Sequence, residues 1–414
     1  TDLGDLLNTA AFRFNAGTPS TNNTYIGKFD YNLTDKQSVF VRLNYQNDTT
    51  SGISRFPDTP VPTNWVHPKG IAVGHTWALS NAIVNTFRYG LTRDSFTLGG
   101  DSNQNFVSFR FVFQPLAFSR GLSRTTPVHN IVDDLSWTKG NHNIQVGTNI
   151  RLIKNTRVSF GSAFDNASTN PSFYDFSGDV VITDEANGDD IFAKIGSRSR
   201  IDLRDALTAV IGRFSQYGVN LNYGADGKIL PSGQGIGRTF ATEEYEAYGQ
   251  DSWRISPNLT VNYGVRWSTS TPVYEANGVQ VKPTPGLSDF FDKRVAGAKA
   301  GTPYNGLISV DLAGKVNNRD GYYSQDWNNF APTVSVAWSP NFKNGMLKKV
   351  FGENKSTFRG GYRMTFDRIG SALAVAFDLN STLGFGSAQS IAANTYNVGT
   401  NLAPQFTAFG QNVR

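Results

Sequence analysis

The side chains that could carry chemistry are few. His67, His75, His129 and His142 are the only histidines, and the chain has no cysteine. No two of these imidazoles have the i, i+4 spacing that aims a pair at one zinc ion from a helix. His142 closes a Lys139-Gly140-Asn141-His142 turn and reads as a turn residue rather than a ligand. Gly233-Gln234-Gly235-Ile236-Gly237 is glycine-rich, but lacks the strand-to-helix setting that a phosphate cradle needs. Glu243, Glu244 and Glu246 open a strand and read as a solvated rim. Asp184, Glu185, Asp189 and Asp190 surround Asn187-Gly188, so Ca²⁺ is one reading. Their spacing misses the EF-hand loop, and a solvated acidic loop is the other. Without Cys there is no thiol nucleophile, disulfide scaffold or Cys-based zinc site. No catalytic group, cofactor site or metal site is expected, so the chain does not read as an enzyme.

The elements that hold these residues alternate at period two, which is strand rather than helix periodicity. Tyr25, Gly27, Phe29, Tyr31 and Leu33 share one parity; Lys28, Asp30 and Asn32 share the other. After the polar Thr34-Asp35-Lys36-Gln37 turn, Val39, Val41, Leu43 and Tyr45 alternate with Arg42, Asn44 and Gln46. Ile26 and Phe40 are the exceptions on the polar parity. Segments 71–79 and 84–92, 128–138 and 143–151, 243–255 and 259–269, and 331–339 and 355–366 follow the same plan. The pattern predicts an all-β chain of about ten antiparallel strands in five hairpins. Connections over 47–70, 93–127, 152–240 and 270–330 are long and polar. Several structureless loops of that length argue against a compact soluble domain. Short turns at one end and long loops at the other suit a transmembrane barrel. Within 152–240, Leu203, Ala206, Leu207, Val210, Ile211 and Phe214 form one apolar stripe, predicting a single loop helix with Asp202 and Asp205 in its first turn.

Composition permits this. The chain has 414 residues, 17% charged and 13% aromatic, with a net charge of +5 too diffuse for nucleic acid. No apolar run reaches 18 residues, which excludes a spanning helix but not spanning strands. The beginning at Thr1-Asp2-Leu3 has no signal peptide, and both ends look cut.

Trp77, Trp137, Trp253 and Trp338 each lie just before a short turn. In a barrel those turns lie on one side, so the four indoles would form an interfacial girdle. Filling the end of a soluble sandwich core is the alternative. Leu259, Val261, Tyr263, Val265 and Trp267 share the outward parity, as do Phe358, Tyr362, Met364 and Phe366. A charge facing lipid costs roughly 2–4 kcal/mol at mid-bilayer, so Arg42, Arg266 and Arg363 on the opposite parity should face the lumen. Asp133 and Asp251 share parity with tryptophans; either they sit near the short-turn end, where the cost is small, or the register slips there.

Tyr248-Gly249-Gln250-Asp251-Ser252-Trp253-Arg254-Ile255-Ser256-Pro257-Asn258-Leu259 resembles the Gln-Asp-x-Trp hairpin of TonB-dependent outer-membrane receptors. Trp327-Asn328-Asn329-Phe330-Ala331-Pro332, Ala337-Trp338-Ser339-Pro340 and Phe358-Arg359-Gly360-Gly361-Tyr362 resemble the Oar-like branch of that family. Asp133-Asp134-Leu135-Ser136-Trp137 and Asn23-Thr24-Tyr25-Ile26-Gly27 do so too. The resemblance spans about residues 23–366. It implies a plugged barrel of 22 strands in a Gram-negative outer membrane, with lipid, a plug domain and an inner-membrane energy-coupling complex as partners. About ten strands are present, so the chain reads as a middle section: a loop segment over 1–23, a partial barrel over 24–370, and a loop or incomplete strand over 371–414. Energised uptake of a scarce bulky solute is the function implied. A passive porin or structural barrel and a secreted soluble β-protein such as an adhesin are the alternatives. The solute would first meet the long loops, with Asp184, Asp189, Asp190, Arg198 and Arg204 as candidate contacts. The lumen arginines would meet solute or plug.

Overall fold

A computed structural model describes residues 13–109, 113–169, 184–190, 194–210, 216–352, 355–367 and 384–392. The strands begin with β1 (Ser20–Thr34), β2 (Gln37–Ser51), β3 (Thr63–Val66), β4 (Lys69–Ala78), β5 (Ile83–Gly99) and β6 (Phe106–Phe109). Next come β7 (Leu122–Lys139), β8 (His142–Ser159), β9 (Asn166–Thr169), β10 (Gln216–Asn222), β11 (Ile236–Ser256) and β12 (Leu259–Ser270). The last are β13 (Tyr274–Glu275), β14 (Val281–Thr284), β15 (Ser309–Leu312), β16 (Asn329–Trp338), β17 (Phe358–Arg363) and β18 (Gly386–Ala392). Three α-helices are described: α1 (Ser197–Val210), α2 (Leu287–Lys299) and α3 (Gly345–Phe351).

One antiparallel sheet runs β1-β2-β4-β5-β7-β8-β11-β12-β16-β17. β3 lies in line with β4 and pairs with the same two neighbours, so the two form one stave interrupted at His67-Pro68. Ten staves result, as the alternation predicts. Every pairing in this sheet preserves the parity of side chains. Tyr25, Gly27, Phe29 and Tyr31 stand opposite Tyr45, Leu43, Val41 and Val39 on one face, and Lys28 stands opposite Arg42 on the other.

The register also carries a constant stagger. The rung through Trp77 passes Asn85 and Leu135, two residues short of Trp137. The rung through Trp137 passes Ile144 and Asp251, two short of Trp253, and that through Trp253 passes Val261 and Val336, two short of Trp338. Two residues advance about 6.6 Å along a strand while two strand spacings cover about 9.6 Å, so a level line through the indoles implies a strand tilt of about 35°. Spanning barrels tilt by about that much.

Burial is inverted relative to a soluble fold. Tyr25, Phe29, Tyr31 and Leu33 are 62%, 64%, 55% and 51% exposed on the apolar face of β1. Apart from Pro340, the buried apolar side chains, among them Ala163, Ala167, Tyr217, Val219, Leu221, Phe240, Val273, Val281, Phe290 and Ala313, fall between 163 and 313 at the long-loop end. There a second sheet, β18-β10-β9-β6, packs Ala167, Tyr217, Val219 and Leu221 together. β14 and β15 pair nearby. β11 has 21 residues, or about 70 Å of strand, against an apolar band roughly 25 Å tall, so its first half stands above the band inside this cap.

Several expectations shift accordingly. The long connections are shorter than expected, because β5 runs to Gly99, β7 starts at Leu122, β8 runs to Ser159 and β11 starts at Ile236. The first strand starts at Ser20, inside the expected 1–23 loop segment, and within 371–414 β18 pairs with β10. The loop helix starts at Ser197, which places Asp202 and Asp205 in its middle; Ile211 and Phe214 lie outside the described residues. It is also not alone, since α2 and α3 occupy other connections. The alternation scan missed both, because it followed strand period only.

Single carboxylates staple the cap. Asp101 accepts from the Ala117 and Ser119 backbone N–H groups at 2.6 and 2.7 Å. Glu275, 1% exposed, accepts from the N–H groups of Thr239, Asn277 and Val279 at 2.9, 2.8 and 3.1 Å. Hydrogen bonds to a charged group contribute about 1.5–3 kcal/mol, and a donor left buried without its acceptor costs more. Glu275→Ala should therefore speed amide exchange across 271–281 at least about tenfold. Exchange in the turn 139–142 at the opposite end should not change.

Candidate functional site

The polar face of the staves is the candidate site. Tyr248, Arg266 and Ala331 share a rung with Gly147, Asp134 and Thr86. Gly147 has no side chain, so the Tyr248 ring lies across it and the Tyr248 hydroxyl donates to Asp134 Oδ1 at 2.7 Å. A Cβ on Gly147 would come within 2.4 Å of Asp134 Oδ1 and 2.6 Å of the Tyr248 ring. Arg88 pairs with the other oxygen of Asp134, and the Arg266 guanidinium lies 5.0 Å from the Tyr248 ring centroid. Arg266 Nη1 also donates to Glu246 Oε2 at 2.7 Å. Arg151 donates to Glu246 Oε1 at 3.3 Å and to Glu244 Oε2 at 2.8 Å. The result is a ladder of alternating charge across β5, β7, β8, β11 and β12. Beside it lies a cavity of about 530 Å³ lined by Arg151, Glu246, Tyr248, Arg266, Thr333 and Arg363, among others.

Of the three arginines picked from sequence, Arg266 and Arg363 share this cavity, while Arg42 lies six staves away opposite Lys28. The glutamates do not form a solvated rim. Glu244 is 6% exposed and paired with Arg151, Glu246 joins two arginines, and Glu243 turns to the other face. There Tyr274 donates to Glu243 at 2.7 Å and Lys315 at 3.2 Å. In this loop-end cluster burial and the bond to Glu243 push the Tyr274 hydroxyl pKa upward. Burial alone would lower Lys315, but its bonds to Tyr274 and Glu243 outweigh that and raise it.

The apolar face carries the tryptophans, each 38–41% exposed: Trp77 41%, Trp137 38%, Trp253 38% and Trp338 41%. Lys139 lies 5.0 Å over the Trp137 ring, His142 stacks on Trp253 at 5.3 Å, and Trp338 packs against Phe358 at 5.9 Å. The register does not slip at the two outward aspartates. Asp133 accepts from Asn85 Nδ2 at 2.7 Å; Asp251 accepts from the Tyr263 hydroxyl at 2.8 Å and lies 2.6 Å from His142 Nδ1. Each is engaged by side chains of neighbouring strands, which a reading of one strand at a time cannot see. Eight residues above the tryptophans the same face holds Lys69, His129, Tyr245 and Phe330. Eight residues at a 35° tilt rise about 22 Å, close to the height of the apolar band.

The family described as "Outer membrane beta barrel domain" has a model that matches residues 2–413. The chain belongs to that family. Its alternating faces are therefore a lipid face and a lumen face in an outer membrane. Among the described residues no helix is long and apolar enough to cross a membrane, so the crossing is made by strands. The solved copper transporter OprC is similar over 79% of this chain and 35% of its own, with 6% identity and a TM-score of 0.38. The ferripyoverdine receptor of the outer membrane of Pseudomonas aeruginosa is similar over 78% and 34%, with 11% identity and a TM-score of 0.39. The outer membrane transporter YddB from Escherichia coli is similar over 77% and 32%, with 11% identity and a TM-score of 0.38. The chain thus spans about a third of the length of these structures. No curated protein matches it.

The loop candidates do not converge on the lumen ladder. Asp184 Oδ1 caps the Ala186 N–H at 2.9 Å within its own turn, and Asp189 pairs with Lys194. Asp190 lies in the same segment, while Arg198 and Arg204 lie on α1. Among the described residues no three His, Asp or Glu side chains converge as a metal site. Sequence reasoning missed Tyr248, Asp134, Arg88 and Arg151. The available signal was Gly147 itself, a glycine on the polar parity of a strand, which marks a close approach.

Gly147→Ala should lower barrel stability by about 1–3 kcal/mol, because the Tyr248 ring must lift off Asp134. Gly90→Ala, also on the polar face but with nothing within 4 Å of the added carbon, should be nearly neutral. Urea unfolding of the detergent-folded protein, followed by tryptophan emission, measures both.

Proposed function

We propose that the chain is the middle section of an energised outer-membrane receptor, in which the long-loop cap first holds a bulky solute and the lumen face meets a plug. The observation that carries this reading is the lumen face itself. Arg363 and Arg42 have no ion-pair partner among the described residues, although Lys28, Arg88, Arg151 and Arg266 on the same wall each pair with a carboxylate. Carboxylates of a plug or a passing anionic solute would satisfy them. Among the described residues the outer edges of β1 and β17 pair with no strand, which supports further strands beside them, since an open sheet edge is not tolerated in hydrocarbon. The TonB-dependent motifs around Trp253 and Trp338 support the plug and the energy-coupling partner. The role is transport rather than catalysis.

The same proposal gives Trp77, Trp137, Trp253 and Trp338 one interfacial level at the short-turn side, supported by the constant two-residue stagger. It assigns capture of the solute to the cap, where Asp184, Asp189, Asp190, Arg198 and Arg204 remain the candidate contacts. A sugar, a peptide or a metal chelate would each suit those groups.

The test is removal of 160–235 from the full-length receptor, leaving β8 and β11 whole. Small molecules retained from culture medium by the wild-type receptor, identified by mass spectrometry of the eluate, should be lost from the truncated one. Both should fold, as shown by heat-dependent gel mobility. Undiminished retention by the truncated receptor would remove the cap from the proposal.

A further inference from the structure

The lipid face of β2, β4 and β5 carries a charge pattern that spanning alone does not require. Lys69 and Arg93 are direct cross-strand partners, and Tyr45 and Pro127 flank them on the same rung. Like charges placed directly opposite destabilise a strand pair unless something neutralises them. Nothing among the described residues does so. Neither Lys69 nor Arg93 has an ion-pair or hydrogen-bond partner among the described residues, and Lys69 contacts only the Tyr45 ring, 5.7 Å away. The rung below is Leu43, Ile71, Leu91 and His129, with no carboxylate. On the other side Asn47, His67 and Ser95 follow, again without one. The nearest acids in sequence, Asp48 and Asp94, have the opposite parity and are engaged there with Gln46 and Arg124. Lys315 at this end differs, since it has Glu243.

Height narrows the choice of ligand. Lys69 stands eight residues above Trp77, about 22 Å along the barrel axis, which is the far edge of an apolar band roughly 25 Å tall. Lipid headgroups lie there. Aromatic rings frame the pair: Trp65, 42% exposed, stacks on His67 at 3.7 Å and donates from Nε1 to Asn47 Oδ1 at 2.6 Å. The His67 Nδ1 atom is buried without a partner.

We propose that Lys69 and Arg93 bind the phosphate of an outer-leaflet glycolipid headgroup, with Tyr45 and Trp65 packing against its sugar and upper acyl chains. Arg93 offers a planar fork to two phosphate oxygens, and Lys69 adds a compact charge beside it. The assignment rests on the chain being an outer-membrane barrel and does not depend on the transport reading.

The test uses full-length receptor in detergent, with lipid A as the probe and binding read by native mass spectrometry. Wild type should retain lipid A carrying both phosphates. The double variant Lys69→Gln/Arg93→Gln should bind about tenfold or more weakly. Exchanging the charges as Lys69→Arg/Arg93→Lys should stay within about threefold of wild type, which separates lost charge from lost fold. Lys315→Gln should leave binding unchanged. Dephosphorylated lipid A should bind wild type no better than the double variant binds lipid A. Equal binding of lipid A by wild type and the double variant would overturn the proposal, as would equal binding of the two lipids by wild type. Complete displacement by millimolar inorganic phosphate would assign the pair to free phosphate instead and overturn the lipid source.

Discussion

Inside hydrocarbon a backbone N–H or C=O has no water to turn to, so each must be bonded by the adjacent strand. That constraint makes register the controlling quantity of this chain. Once ten staves pair continuously, parity decides which side chains meet lipid, and the stagger decides how high each one sits. With a strand tilt of about 35°, a stagger of two residues over two strands would set Trp77, Trp137, Trp253 and Trp338 on one level and Lys69, His129, Tyr245 and Phe330 on a second. No packing among those residues is needed for either line. The conventional core is correspondingly displaced, and Tyr217, Val219, Leu221 and Phe240 gather where the strands leave the apolar band and need burial of the ordinary kind.

The lumen wall answers a different requirement. Its charges face a wet interior, where each exposed pair contributes at most about 1 kcal/mol. Their arrangement matters more than their strength. Gly147 lets Tyr248 lie flat and reach Asp134, Arg266 covers Tyr248, and Glu246 ties Arg266 to Arg151. Five strands thereby share one set of fixed side chains, and the cavity beside them keeps its shape. Arg363 lines the same cavity and has no ion-pair partner among the described residues.

Much of this was legible in sequence because alternation is local. Tyr25 to Leu33 and Val39 to Tyr45 reveal their face, turn and strand direction within a dozen residues each. The tryptophans before turns were equally visible. What was hidden depends on partners far away in the chain. Asp251 looks misplaced until His142 and Tyr263 arrive from two other strands. Glu244 and Glu246 look solvated until Arg151 and Arg266 are set beside them. In the overhanging half of β11 the buried parity mixes Arg238, Phe240, Thr242 and Glu244, which erases the apolar period-two signal that marks the spanning half. The cap sheet joins β6, β9, β10 and β18, short strands with weak patterns that pair with one another across long stretches of chain.

The central claim is that one face of each stave meets lipid and the other meets a water-filled lumen. Nitroxide labels placed singly along β12 of the full-length protein in bilayers test it most directly. Collision rates with oxygen, which concentrates in hydrocarbon, should peak at Val261, Tyr263, Val265 and Trp267. Rates with a water-soluble nickel reagent should peak instead at Asn262, Gly264 and Arg266. A two-residue oscillation with the two reagents out of phase is the predicted result. In-phase profiles, or free access of the nickel reagent to Tyr263 and Val265, would contradict the account.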